Sequence, residues 1–224
     1  MRVEYIAHTG SDLMVVDAAR VSFDKQTTED ELTEKDIKLI KYLADHDHWS
    51  PFAHPQITMR VTAPIFVARQ LAKHQVGFSW NEVSRRYVDT TPEFFIPNKE
   101  DGWRKRADNI KQGSSNHYLY HLNGLYPDKV NIHDQVDKLN KQSLHLYRRL
   151  IKSGVCPEQA RMILPLSTYT EWIWTGSLLG FARVCQLRLE SHSQEETREI
   201  AMMIEDIVEP LFPISWEELL AWEN

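Results

Sequence analysis

The sequence predicts an α+β fold in a single domain, and three observations carry that prediction. Several separate stretches repeat apolar residues at helical spacing. Residues 56–63 instead alternate apolar and polar with a period of two. The two kinds of stretch mix without the strict strand–helix alternation of a doubly wound chain. With 224 residues, 42% of them hydrophobic and 26% charged, the chain suits one domain around its own core. The expected architecture is a mixed or antiparallel sheet flanked by helices.

Taken in order, Met1 to His8 alternates weakly and suits an opening strand. Ala18 to Phe23 is a short apolar–polar segment. Thr28-Glu29-Asp30-Glu31 has capping-box spacing, and Ile37, Ile40, Leu43 and Ala44 follow at helical spacing, which predicts a helix over 32–45. His46-Asp47-His48-Trp49-Ser50-Pro51 ends it as a loop. Ile57, Met59, Val61 and Ala63 then share one strand face. Pro64 suits the first turn of a helix running to about His74. Residues 75–92 are expected to be an irregular loop, and residues 98–133, polar and interrupted by Gly102, Gly113, Gly124 and Pro127, a mobile insertion or lid. Asp134 is the expected N-cap of an amphipathic helix through Ile151, with Gly154 at its C-terminal end. Pro157 opens a short helix to about Ile163. Leu164 to Trp174, rich in Thr, Tyr, Trp and Ile, suits a strand. Helices are expected over 178–189 and 194–208, with a last short one from Trp216 to Trp222.

The formal net charge of −6 disfavours a general nucleic-acid surface. No apolar run approaches the roughly 20 residues of a membrane span. The N-terminus lacks a signal-peptide apolar core, and two cysteines make no disulfide framework, so a reducing cytoplasmic compartment is expected. There is no glycine-rich dinucleotide fingerprint, Walker loop, Cys-x-x-Cys pair, His-Glu-x-x-His or Gly-x-Ser-x-Gly elbow.

Cations gather instead in two apolar segments. The segment from Arg69 to Tyr87 packs cations, amides, hydroxyls and a carboxylate into 19 residues. In it Ser84 and Arg86 can hold a phosphate, and Gln70 and Asn81 can hydrogen-bond a base edge or a flavin edge. The segment from Arg161 to Arg188 places Leu178, Phe181, Cys185 and Arg188 on one helical face. That buries Arg188, which then needs an anion or several acceptors. Glu190, Glu195 and a bound substrate are its possible partners.

Together these segments resemble the flavin-dependent thymidylate synthases. That family carries Arg-His-Arg, a short spacer, then Ser-x-Asn-Glu-x-Ser-x-Arg-Tyr. Here the pattern stands as Lys73-His74-Gln75, then Ser79-Trp80-Asn81-Glu82-Val83-Ser84-Arg85-Arg86-Tyr87. The resemblance also takes in Ala19 to Phe23, His48 to His54, Ala63 to Gln70, Ala160-Arg161, Leu164 to Leu166, Leu187-Arg188, Ser191-His192 and Gln194. It implies transfer of the methylene of methylenetetrahydrofolate to C5 of dUMP, with FAD reduced by NADPH as the hydride source. It further implies a homotetramer whose active sites share residues between subunits.

Residue by residue, the resemblance assigns Gln70, Lys73, Glu82, Val83, Ser84, Arg85, Arg86, Arg161 and Arg188 to dUMP. Ser50, Lys73, His74, Gln75, Glu82, Ser177 and Arg183 fall to FAD, and Arg188 is the residue that activates the uracil ring. A permanent guanidinium charge suits that role. No cysteine nucleophile is then needed, and Cys156 and Cys185 are expected to be structural.

The chain departs from the family where Lys73 and Gln75 replace arginines, which loses a planar fork at the first position and a charge at the second. The spacer Val76-Gly77-Phe78 is one residue longer, and Ser177, Leu179 and Arg183 stand where many members carry Asn and Arg. Two rival readings follow. His46, Asp47 and His54 could serve a metal-dependent nucleotide phosphohydrolase, although no metal site is expected. The changes at 73 and 75 could instead mark a binding module that kept the fold and lost the chemistry.

Overall fold

The computed structural model describes residues 1–25, 31–88, 90–108, 114–122 and 130–221. These residues fall into two compact units, one of 1–62, 70–81 and 172–224, the other of 63–69 and 82–171. In chain order the elements are β1 (Arg2–Thr9), α1 (Asp12–Arg20), α2 (Glu34–Asp45), β2 (Gln56–Pro64), α3 (Ile65–Leu71) and β3 (Phe78–Glu82). Then come β4 (Trp103–Arg106), β5 (Ser114–Leu119), β6 (His121–Leu122), β7 (Val130–Asn131), α4 (Ile132–Lys152) and α5 (Pro157–Ala160). Last are β8 (Tyr169–Ser177), α6 (Leu178–Arg188), α7 (Glu195–Val208) and α8 (Pro213–Ala221). The α+β class is as the sequence predicts.

The first unit is built on a sheet of order β1-β2-β8-β3. β1 and β2 pair antiparallel, with a register shift between Tyr5 and Ala7. Ile57, Met59, Val61 and Ala63 are fully buried, so the alternation of β2 works as expected. A Thr58–Thr175 hydroxyl bond of 3.0 Å ties β2 to β8. Trp172 and Trp174 of β8 are buried, and Trp80 of β3 stacks on Trp172 with ring centroids 4.2 Å apart. β3 lies inside the stretch expected to be an irregular loop. Its Phe78 and Trp80 stand two residues apart and pack on the tryptophans of β8, and this pairing overrides the polar local composition. Two glycines make room for Phe78: a Cβ at Gly176 would stand 2.2 Å from its ring and one at Gly180 2.9 Å.

Helices α1, α2, α6, α7 and α8 pack against one another in this unit. α1 occupies residues the sequence reading left without an element. Its Asp12 is buried, and the two carboxylate oxygens accept from the backbone N–H groups of Ile214 and Ser215, each at 3.0 Å. Asp12 thus satisfies the open donors at the start of α8. The helix expected over 32–45 begins at Glu34. Its capping box is Thr33 with Asp36, and Thr28 lies outside the described residues. Asp36, fully buried, also takes an ion pair from Arg20. The Thr33 hydrogen bonds and the Arg20 charge outweigh its burial and hold its carboxyl below the usual range.

In the second unit α4 runs as expected, but its N-cap is Asn131, whose side chain accepts from Asp134 N at 3.2 Å. Asp134 is one turn inside and ion-pairs with Lys99. Gly154, at φ +87°, lies one residue past the cap Ser153, a conformation suited to glycine. The described parts of 98–133 contain paired strands: β4 with β5 antiparallel, Trp103 opposite Leu119, and β6 with β7. α3 ends at Leu71, three residues before the expected His74, and β8 begins later than predicted, at Tyr169.

Candidate active site

The signature segment divides between the units: residues 73–81 belong to the first and 82–87 to the second.

In the first unit α3 ends at Leu71, and Gly77, at φ +76°, turns the chain into β3. A Cβ at Gly77 would come to 3.9 Å from the hydroxyl of Ser177. Ser177 is itself the N-cap of α6 and accepts from Gly180 N at 3.1 Å. Seven of the eleven residues of α6 are buried. Arg188, in its last turn, is half-buried, and the expected acidic partners are not the ones it finds here. Its Nε donates to His74 Nε2 at 3.1 Å, and its Nη2 donates to the backbone carbonyl of Gln70 at 3.4 Å.

An imidazole nitrogen that accepts from a guanidinium must be unprotonated. Burial, helped by the Arg188 charge, lowers the His74 pKa from 6.5 to about 4. Burial also lowers that of Arg188, although a guanidinium stays charged. Gln70 donates through Nε2 to Gln194 Oε1, and Gln194 Nε2 donates to Glu196 Oε2 at 2.8 Å. Of the residues that the resemblance assigns to FAD, Ser50, Lys73, Gln75 and Arg183 are exposed.

This donor set fits FAD. Exposed Lys73 and Arg183 carry charge suited to a pyrophosphate, Ser50 and Gln75 offer hydrogen bonds, and the Gly77 turn permits close backbone approach.

In the second unit Glu82 ends β3, and its Oε1 accepts from Thr170 Oγ at 2.7 Å. Val83 N donates to Glu171 O at 2.9 Å. The hydroxyl of Ser84 accepts from Arg86 N at 3.3 Å and from Arg86 Nε at 3.2 Å. The Arg86 guanidinium carbon lies 5.1 Å from the Tyr87 ring centroid, and Nη1 is 3.7 Å from Glu158 Oε1. Arg85 donates to Thr90 O at 2.9 Å. Glu82, Val83, Arg85 and Arg161 line a cavity of about 120 Å³ together with Ile65, Leu164 and Thr168 to Thr170. Cations around a small cavity form a place for an anion.

The structure therefore brings together Gln70, His74 and Arg188 in one unit, and Glu82, Val83, Arg85 and Arg161 in the other. Sequence reasoning missed Thr170 as the partner of Glu82, and Glu196 altogether. Gln194 was noted without a role.

Cys185 is buried, its Sγ–H bonds Ala201 O, and burial, with the Glu205 charge, pushes its pKa up and away from the thiolate. Cys156 is exposed at the start of α5. His46 stacks on Tyr42 at 4.1 Å, and His48 meets the same ring edge-on. Among the described residues no three His, Cys, Asp or Glu side chains stand together as a metal site.

Residues 4–214 match the family model "Thymidylate synthase complementing protein", and the chain belongs to that family. It is 37% identical over 211 residues to the flavin-dependent thymidylate synthase of Thermosipho africanus, covering 94% of this chain and 87% of that one. Against the flavin-dependent thymidylate synthase of Thermotoga neapolitana it is 34% identical over 220 residues, covering 98% and 91%. Among solved structures, the UMP/dUMP methylase PolB of Streptomyces cacaoi, bound with 5-bromo-dUMP, superposes with a TM-score of 0.81. The two are 31% identical, over 99% of this chain and 95% of that one. No helix among the described residues is long and apolar enough to cross a membrane.

Proposed function

We propose that this chain is a flavin-dependent thymidylate synthase that converts dUMP to dTMP, with methylenetetrahydrofolate as carbon donor. The observation that carries the reading is Arg188: a guanidinium fixed by a neutral His74 and a backbone carbonyl, in a family that includes flavin-dependent thymidylate synthases. Arg188 would stabilise the negative charge that develops on the uracil ring, so that C5 attacks the methylene without a thiolate. The buried, protonated Cys185 agrees with that.

Ser84, Arg85, Arg86 and Arg161 would hold the phosphate. Gln70, Lys73, Glu82 and Val83 would complete the dUMP contacts. Ser50, Lys73, His74, Gln75, Glu82, Ser177 and Arg183 would hold FAD. When bound, FAD supplies a hydride drawn from NADPH. Lys73 keeps the charge of the arginine it replaces, and Arg183 adds a second cation, so the change at Gln75 does not empty the cofactor site of positive charge. The likeness of family and site also supports one catalytic domain over 1–224, a homotetramer with shared active sites, and a cytoplasmic location, with no nucleic-acid or membrane partner.

The test is a visible absorption spectrum after FAD loading and desalting, with and without dUMP. Retained flavin bands that shift with dUMP are expected. A colourless protein would overturn the flavin reading and favour a binding module without the chemistry.

A further inference from the structure

We propose that Phe78 is a positioning residue for the reaction. Its ring, seated in a notch cut by Gly176 and Gly180 at the start of α6, holds the signature loop so that His74 stays on Arg188 at the other end of the same helix. This rests on the reading above that Arg188 acts on the uracil ring.

Gly176 lies inside β8 and Gly180 inside α6, and neither has a positive φ. Glycine weakens the interior of a strand or a helix, and the backbone at these two positions does not require it. What both share is one neighbour. A Cβ at Gly176 would stand 2.2 Å from the Phe78 ring, and one at Gly180 2.9 Å. Trp174 and Phe181 close the notch, with ring centroids 4.9 and 5.0 Å from that of Phe78. The two glycines therefore supply space for one aromatic ring.

The loop that carries the ring has few other side-chain holds. Of residues 72–79 only His74 and Phe78 are not exposed, and Val76 between them is 89% exposed. Both anchors lie on α6: Phe78 at its first turn, His74 on Arg188 in its last. The stretch between them is short and stiff. Phe78 N donates to Gln75 O at 3.2 Å, and Gly77 takes φ +76°. A ring that leaves the notch carries this turn with it, and His74 with the turn. Arg188 would then keep its bond to Gln70 O, which at 3.4 Å is long. A guanidinium held so loosely loses the fixed aim that charge stabilisation requires. Arg85, Arg86 and Arg161 belong to the other unit, so the grip on a phosphate does not depend on the notch.

The test is dTMP formation by the full chain with FAD saturating, read as the rate at saturating dUMP and as the dUMP KM. In Phe78→Ala the saturating rate should fall about 10- to 100-fold, the range that a small misplacement of a reacting group produces. The KM should stay within about threefold of wild type. In Gly180→Ala the new methyl displaces the same ring, and the rate should fall about tenfold. The double variant F78A/G180A should be no slower than F78A, because the ring that the methyl would strike is gone. A merely structural role of Phe78 would lower the melting temperature and leave the saturating rate alone. Should F78A not fold, F78L keeps an apolar side chain without the ring and should show the same split at a smaller size. An unchanged saturating rate in a folded, flavin-bearing F78A or F78L overturns the proposal. So does a loss confined to KM, and so do losses that multiply in the folded double variant. Absence of dTMP formation by the wild type overturns the parent reading instead, and this one with it.

Discussion

The candidate site residues of the two units stand in different physical settings. In the first unit, Gln70, His74 and Arg188 are half-buried and bonded to one another, and burial shifts both ionisable members. In the second, Arg86 is exposed, its ion pair with Glu158 is long, and its bonds are to its own neighbour Ser84. The first half suits chemistry on a ring, where a partly dry setting strengthens charge stabilisation and fixed geometry avoids reorganisation. The second suits capture of a doubly charged phosphate, where solvent-exposed cations suffice and salt weakens the grip. The lesson is that positions as near in sequence as His74 and Arg86 can suit different tasks, according to how far the chain buries them.

Four experiments break or sharpen this division. The largest effect is expected for Arg188→Ala. dTMP formation should fall by about 10²–10³ or more, the loss typical of removing a preorganised stabilising donor, with the fold and flavin retained. Rapid-quench turnover measures it, and wild-type-like rates would end the assignment.

Next is Gly176→Ala. The added Cβ would strike the Phe78 ring at 2.2 Å, so overpacking should cost about 1–3 kcal/mol in urea unfolding. Because Phe78 adjoins Gly77, flavin retention should fall with it. An unchanged midpoint would show that the ring has somewhere else to go.

Arg86→Ala and Ser84→Ala should weaken dUMP binding by about tenfold or less while leaving the rate at saturation nearly constant. For Arg86→Ala the residual affinity should also depend less on salt. A lost maximal rate with unaltered affinity would contradict the division of labour.

The smallest effect concerns pH. The folded pKa of His74 is about 4 against an ordinary 6.5, so below 6.5 the unfolded chain takes up a proton that the fold refuses. The stabilising share of the neutral imidazole is complete above about pH 6.5, declines as pH falls toward 4, and levels off below. His74→Gln, which keeps an acceptor for Arg188 but cannot titrate, should flatten the melting-temperature profile across that window. A profile as steep as wild type would mean that other groups carry it.

Much of this was legible in the sequence where periodicity and burial agree. β2 shows it: four alternating apolar residues, all buried. Arg188 was found because it interrupts an apolar helical face. Its partner was not, since His74 lies 114 positions away and no local signal links them. β3 escaped notice although Phe78 and Trp80 carry the two-residue period, because charged and amide residues on both sides mask a five-residue strand. α1 escaped because its buried face includes Asp12, and a carboxylate in a core position contradicts the apolar rule until its two backbone donors are known. The cap at Thr33 was overlooked because Thr28 offers the commoner Thr-x-x-Glu pattern, whereas the working box uses Asp36.

That same Asp12 has a consequence for how the chain is made. Its bonds join residues 202 and 203 positions apart, so a chain made from its N-terminus leaves this carboxylate to water until α8 has been added. A chain emerging N-terminus first can form α1 and α2 early, yet it cannot settle them until the last helix arrives. Removal of α8 would therefore be felt at α1, as a buried carboxylate left without its two donors.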